Sequence, residues 1–278
     1  MAKQGSIDIK FSVLMSVYYK EKPVFLEEAI YSVVNNTIVP DDIVLVVDGP
    51  IPDMLERSIK KLEEQYSINV IYLEENVGLG NALNIGINNC KYDLIMRMDT
   101  DDYCVKTRFQ EQLNYFAIHE NLALLGGYIA EYDELMSKCI GIRAVPCEYQ
   151  DIKMMAKKRN PFNHMTVAFR KSVILSVGGY KHHMHMEDYN LWLRVIAGGY
   201  SVANIPNVIV KVRAGENMLS RRKGLIYIYS EYLLYKLKRE LEIDSYSHGL
   251  VIFIMRALTR VLPISYLRFL YSKLRSTH

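Results

Sequence analysis

Two hydrophobic periods alternate along the first third of the chain. Phe11-Ser12-Val13-Leu14-Met15-Ser16-Val17-Tyr18 is apolar and β-branched, which predicts a buried strand. Pro23 to Val34 then carries Phe25, Leu26, Ala29, Ile30 and Val33 on one helical face, with Pro23 in the first turn. Asp42 to Asp48 reads as a second strand, closed by the breaker Gly49-Pro50. Met54 to Tyr66 has helical spacing, Asn69 to Leu73 is a third strand, and Asn76-Val77-Gly78 is a turn into a helix over Leu79 to Asn89. Tyr92-Asp93-Leu94-Ile95-Met96 is the fourth strand. Strands apolar throughout, alternating with amphipathic helices, predict a parallel sheet covered on both faces.

After Tyr103 the alternation weakens. Lys106 to His119 reads as helix and Leu122 to Tyr132 as strand. Gly141 to Tyr180 mixes short strands and loops, Tyr189 to Ile196 is helical, and Tyr200 to Val212 gives a pair of strands around Pro206. From Leu225 the chain is helical again, broken at Ser245 to Gly249 and at Pro263. The pattern divides into residues 1–104, residues 105–224 as the second half of the same α/β domain, and a helical region, 225–278.

At 278 residues, half of them hydrophobic and 23% charged, the chain has globular composition and length enough for a large core. Cys90, Cys104, Cys139 and Cys147 have neither CxxC pairing nor zinc spacing, and read as reduced thiols. Met1 to Ser6 leads into strand-like sequence without an apolar leader.

The net charge of +3 conceals an asymmetry. From Lys211 onward thirteen Lys/Arg face five Asp/Glu, a balance of +8, which leaves −5 for the residues before it. A basic tail on an acidic body suits an anionic partner, membrane surface or nucleic acid; without a recognisable aromatic-interleaved module, nucleic acid is excluded. The longest apolar run there, Leu250 to Met255, falls short of the ~20 residues that span a bilayer. Arg256 and Arg260 lie a turn apart on an otherwise apolar helix. Beyond Pro263, Ile264, Leu267, Leu270, Tyr271 and Leu274 form a stripe with Arg268, Lys273 and Arg275 outside it. That is the pattern of an interfacial helix; packing on the domain or on a partner subunit is the alternative.

Two acidic clusters carry the candidate chemistry. Asp99-Thr100-Asp101-Asp102 follows the fourth strand, and Glu187-Asp188 precedes a helix. Crowded carboxylates repel unless a cation offsets them, and a hard ion with oxygen ligands, Mn²⁺ or Mg²⁺, does so while leaving positions for substrate phosphates. A distant second pair suits general-base chemistry. Tyr18, Asp48, the Asn76-to-Asn84 turn and the Asp99 cluster follow successive strands, where an open α/β sheet binds its ligands. Gly78-Leu79-Gly80 is not the dinucleotide fingerprint, because it follows the third strand and Asn81-Ala82-Leu83 stands where a third glycine belongs.

Each residue also has a plainer role open to it: Asp48 a turn residue, Tyr18 packing, Asp188 a helix N-cap, Trp192 core. Arg97 fits a core-edge ion pair or a substrate contact, and Arg194 a diphosphate contact or a pair with Glu187. His182-His183-Met184-His185 lacks the further ligands of a zinc site and reads as an acceptor-side loop. Arg213, Arg221, Arg222 and Lys223 form a basic stretch suited to clamping a diphosphate.

Val13-to-Glu21, Val47-Asp48-Gly49, Asn76-x-Gly78-x-x-x-Ala82-x-Asn84, Arg97-Met98-Asp99-Thr100-Asp101-Asp102 and Glu187-Asp188-Tyr189-x-Leu191-Trp192-x-Arg194 together resemble the ordered signature of glycosyltransferase family 2. The resemblance spans residue 10 to about 215 and is nearest the bacterial O-antigen and exopolysaccharide branch. It implies a GT-A fold, a Rossmann-like mixed sheet with helices on both faces, and inverting transfer of glucose or galactose from a UDP-sugar. It also implies a polyprenyl-diphosphate-linked saccharide as acceptor, at the cytoplasmic face of the bacterial inner membrane. Residue by residue, Tyr18 flanks the base, Asp48 accepts the uracil N3–H, and Asn76, Gly78, Asn84, Arg97 and Arg213 join the nucleotide-sugar site. Asp99 lies near ribose and metal, Asp101 ligates Mn²⁺ or Mg²⁺, Asp188 is the general base with Glu187 beside it, and His164 and Trp192 face the acceptor.

Two rivals remain. A sugar-nucleotide nucleotidyltransferase needs a glycine-rich basic loop after the first strand, which Tyr18-Tyr19-Lys20-Glu21-Lys22 is not. A catalytically silent scaffold of a polysaccharide assembly complex would keep its function after Asp188→Asn.

Overall fold

β1 (Phe11–Val17) is buried along almost its whole length and pairs in parallel with β2 (Asp42–Val47) and β4 (Leu94–Arg97). β3 (Asn69–Tyr72) adds outside β2 and is half exposed, as an edge strand is. The computed structural model describes residues 9–214 and 224–261. The alternation of side chains along β1 divides the core. Val13, Met15 and Val17 face a cluster holding Leu26 and Ile30 of α1 (Pro23–Val34) and Leu55 and Ile59 of α2 (Asp53–Gln65). Leu14 faces the opposite cluster with Ala82 and Leu83 of α3 (Leu79–Asn89). Gly86 lets α3 approach this closely, since a Cβ there would stand 2.3 Å from Leu14 Cδ1.

The parallel expectation stops at β4. The chain continues as β5 (Tyr103–Cys104), α4 (Arg108–Ile118), β6 (Leu122–Tyr132), β7 (Cys139–Arg143), α5 (Tyr149–Lys158), a 3₁₀ turn at His164–Thr166, β8 (Ala168–Arg170), α6 (Lys171–Ser176), α7 (Glu187–Ala197) and β9 (Ser201–Arg213). The result is one nine-stranded mixed sheet, ordered β3-β2-β1-β4-β8-β6-β9-β5, with β7 on the flank of β6. β8 runs antiparallel between β4 and β6.

Two expectations for this half need correction. The stretch after Gly141 contains the helices α5 and α6; α5 buries only Ile152 and Ala156, a face too narrow to stand out as periodicity. The pair of strands around Pro206 is a single strand. β9 pairs Ile205 with Gly127 and Val208 with Tyr128, so Pro206 and Asn207 bulge out where a missing N–H leaves no gap in the ladder.

α8 (Leu225–Glu240) and α9 (Tyr246–Val261) pack on one another, and α8 lies on α7. The break between them falls at residues 241–245, where Glu242 is left-handed (φ 54°). Arg256 and Arg260 do not form an outer polar face. They turn inward onto the buried carboxylate of Glu231, Arg256 with two bonds of 2.6 and 2.8 Å and Arg260 with one of 2.7 Å. The outer surface of α9 is apolar instead: Val251, Ile254, Met255 and Leu258 are all exposed. No described helix is long and apolar enough to cross a membrane. The stripe at 264–275, Arg221, Arg222, Lys223 and the first eight residues lie outside the described residues.

Candidate active site

The turn after β4 brings Asp99, Asp101 and Asp102 together, one oxygen of each within 4.8 Å of the others. Asp102 is buried; its Oδ1 accepts the Arg213 N–H at 3.2 Å, while its Oδ2 has no partner among the described residues. Thr100 donates at 2.6 Å to Glu21, which brings a further carboxylate to the edge of the cluster. Asp101 keeps an exposed surface, yet the protein packed around its carboxyl, with Asp99 and Glu21 beside it, pushes it up to about 7. Burial, then Asp99 and Asp101, hold Asp102 well above the usual carboxylate range. Protonation or a cation relieves such crowding. A buried carboxylate oxygen without a donor, inside an all-oxygen set, fits a hard divalent ion.

At the end of β2, Asp48 organises the neighbouring turn. Its Oδ1 accepts the Val77 N–H at 2.7 Å, and its Oδ2 accepts the Gly78 N–H at 3.1 Å and the Asn76 amide at 3.0 Å. Gly49 permits this approach: its φ is +85°, and a Cβ there would lie 2.5 Å from the Asn76 nitrogen. Asp48 is thus the turn residue, with Asn76 and Gly78 holding its carboxylate, and Tyr18 stands exposed at the mouth beside it. Asn84 is corrected. Both ends of its amide bind the Tyr180 backbone at 2.8 Å, so it staples α3 to the loop before α7.

Arg213 and Arg97 are likewise committed to protein groups. The Arg213 guanidinium donates to the Asp101 and Glu134 carbonyls, pairs with Glu28 and stacks 4.2 Å over Phe25. It braces the acidic turn. Arg97 is buried and pairs with Asp99 as a core-edge ion pair; its Nε and Nη1 have no partner among the described residues. Its positive charge opposes the upward shifts of Asp101, Asp102 and Asp188 alike. Arg97 therefore acts electrostatically on both acidic clusters.

α7 opens with Glu187 and Asp188 in its first turn, and the N-cap position is Met186. Asp188 is not the cap. Its Oδ2 accepts the Asn160 amide at 2.6 Å and its Oδ1 the Tyr189 N–H at 2.7 Å. Burial raises Asp188; those two donors, Arg97 and Arg143 act against it. Glu187 is raised by burial and by Asp188, and its side chain faces Gly80 at the start of α3.

His164 Nε2 bonds the Tyr180 hydroxyl at 2.8 Å, and burial, then Arg97, holds its imidazole well below the usual range, hence neutral. Trp192 does not face an acceptor. It is 0% exposed, packed edge-on against Phe162 and His164. Arg194 binds Asn190 and the carbonyls of Val177 and Gly179 and does not pair with Glu187. His183 is buried between Asn190 and the Ser230 carbonyl, in the α7–α8 seam and not in an open loop. Sequence reasoning gave no role to Asp102, Glu21, Asn160 or Tyr180. The first two lie inside the motifs already noted; nothing in periodicity or spacing marks the others.

The family model described as Glycosyl transferase family 2 matches residues 12–184. The amylovoran biosynthesis glycosyltransferase AmsE of Erwinia amylovora is 43% identical over 263 residues, covering 95% of this chain and 98% of that protein. The UDP-Gal:α-D-GlcNAc-diphosphoundecaprenol β-1,3-galactosyltransferase of Escherichia coli is 36% identical over 264 residues, covering 95% and 96%. Among solved structures, the mannosyltransferase PcManGT of Pyrobaculum calidifontis, in complex with GDP-Man and Mn²⁺, superposes with a TM-score of 0.63 at 13% identity, over 95% of this chain and 80% of that one. That likeness shows the GT-A fold.

Proposed function

The chain belongs to glycosyl transferase family 2, in its bacterial surface-polysaccharide branch, and from that premise we propose that it moves glucose or galactose from a UDP-sugar onto a saccharide held on a polyprenyl diphosphate. The new bond is a β-glycoside formed by inversion. One observation supports the reading: Asp99, Asp101 and Asp102 gather their oxygens at the end of β4, and the buried Arg97 that pairs with Asp99 also favours the charged form of the half-buried Asp188. A donor diphosphate at the first set and an acceptor hydroxyl at the second would then meet across the sugar.

Asp48 keeps a lone pair on Oδ1 beyond the one Val77 occupies, enough to accept the uracil N3–H, and Tyr18 covers the base. Asp99, Asp101 and Asp102 would hold Mn²⁺ or Mg²⁺, which when bound offsets the negative charge gathering on the departing UDP. Asp188 takes the proton of the acceptor hydroxyl as that oxygen attacks the anomeric carbon and the bond to the diphosphate breaks. A single displacement inverts the carbon. His164, held neutral beside the Tyr180 hydroxyl, and Glu187 border the acceptor. The basic C-terminal region and the apolar outer face of α9 keep the enzyme at the cytoplasmic leaflet, where polyprenyl-linked acceptors reside.

The test is transfer by purified protein with Mn²⁺, labelled UDP-sugars and a synthetic GlcNAc- or GalNAc-diphosphate-lipid. Product from one donor, abolished by Asp101→Ala and by Asp188→Asn, is expected. If no donor reacts and UDP fails to bind with Mn²⁺ present, the nucleotide-sugar reading is wrong; undiminished transfer by Asp188→Asn removes the base.

A further inference from the structure

Asn160 lies just beyond α5 and is fixed at both ends of its side chain. Its Oδ1 accepts the Phe162 N–H at 3.2 Å, closing a tight turn over Pro161, and its amide donates to Asp188 Oδ2 at 2.6 Å. The frame around it is rigid. Phe162 is fully buried against Trp192, and the Pro161 carbonyl accepts the Asn204 amide at 3.2 Å. A second tie runs parallel to the first, from the Tyr189 hydroxyl to the Ala156 carbonyl at 2.7 Å. The end of α5 and the start of α7 are thereby joined on both sides of the Asp188 carboxylate.

We infer that Asn160 is a positioning residue for Asp188: its amide fixes the carboxylate rotamer, favours the ionised form and leaves one lone pair on each oxygen to take a proton. The inference rests on the reading of Asp188 as the general base. A donor aimed at a half-buried carboxylate stabilises the charge there more than it would in water. The Tyr189 N–H alone does not replace it, because it binds only Oδ1. The charged and titratable groups facing Asp188 from the elements packed around it are Arg97 of β4, Arg143 of β7, Glu187 and Tyr189 of α7, and Tyr180 and His183 of the preceding loop. None of these is removed by a change at residue 160.

The experiment uses the full chain and two variants. Asn160→Asp keeps the oxygen that closes the Phe162 turn but replaces the donor with a second carboxylate; Asn160→Ala removes both donor and acceptor without adding charge. In difference infrared spectra, the protonated carboxyl of Asp188, assigned by its absence in Asp188→Asn, should titrate about one pH unit higher in Asn160→Ala than in the wild type. In Asn160→Asp it should rise further, since two carboxylates then share one site. With a turned-over donor and acceptor, the acid limb of kcat should move up by the same amount, costing about tenfold below it, with KM for the donor unchanged. An Asp188 titration unmoved in folded Asn160→Ala overturns the positioning role. Retained transfer in Asp188→Asn overturns the base instead, and the infrared shift then still reports the hydrogen bond by itself.

Discussion

Arg213, the last residue of β9, donates its backbone N–H to Asp102 Oδ1 at 3.2 Å, while its guanidinium holds the carbonyl of Asp101. The strand end and the acidic turn are one unit, although 111 residues separate them. Arg213→Ala should therefore weaken Mn²⁺ binding about tenfold or more, the effect typical of removing a group that orients ligands. Arg213→Lys should not restore it, because one ammonium cannot reproduce the planar fork. Calorimetric titration of Mn²⁺, and of UDP at saturating Mn²⁺, separates the possibilities. Loss confined to the UDP titration would make Arg213 a diphosphate clamp after all.

Proton and metal compete at Asp101. Burial, with Asp99 and Glu21 beside it, pushes its carboxyl up from 3.8 to about 7. Between those values the folded chain holds a proton that the unfolded chain has lost, so this carboxyl makes stability fall as pH rises through the window. A divalent cation has to displace that proton. Mn²⁺ affinity should climb about tenfold per pH unit below neutrality and level off above it, with proton release visible as a dependence of binding heat on buffer. Affinity constant from about pH 5.5 to 8 would remove Asp101 from the ligand set.

Trp192 belongs to the core, and its substitutions should read as stability. Trp192→Ala is expected to cost about 3–5 kcal/mol in urea unfolding, since a wholly buried indole leaves a cavity its neighbours cannot fill. Trp192→Phe should keep KM for the acceptor within about twofold while losing less stability. A large rise in acceptor KM with unaltered unfolding would return the indole to the sugar.

What could be read from the chain alone follows from how local each signal is. Pro23–Val34, Leu79–Asn89 and Leu122–Tyr132 have in the structure the ends that the periodicity predicts, because each buries a wide face whose pattern needs no distant partner. The acidic cluster is legible for the same reason: it sits where an apolar run ends. Buried charges are not. Arg213 and Arg256 each find their partner through the fold, Arg213 from Glu28 on α1 and Arg256 from Glu231 on the preceding helix, and a helical wheel cannot tell an arginine turned to solvent from one turned onto a buried carboxylate. Asn160 is hidden in the same way, since its bond to Asp188 joins two elements 28 residues apart.

The inward turn of Arg256 and Arg260 decides what α9 offers outside. With both cations on Glu231, the exposed positions between Leu250 and Arg260 are Val251, Ile254, Met255 and Leu258, spaced three and four apart along one stripe. Tyr229 and Leu225 of α8 are exposed as well. If this surface rests on lipid, Ile254→Asp with Leu258→Asp should lower partitioning onto anionic vesicles by about a hundredfold, the loss expected when two aliphatic side chains worth ~1.5 kcal/mol or more each can no longer be buried. Transfer to a short-chain, water-soluble acceptor should be unchanged, since neither residue approaches the carboxylates. Added salt should weaken the wild type only in part, because screening acts on the basic charges and not on apolar burial. Equal vesicle binding by the double variant would mean that protein covers the stripe, and a change of sedimentation coefficient between the two proteins would identify a second copy as that cover.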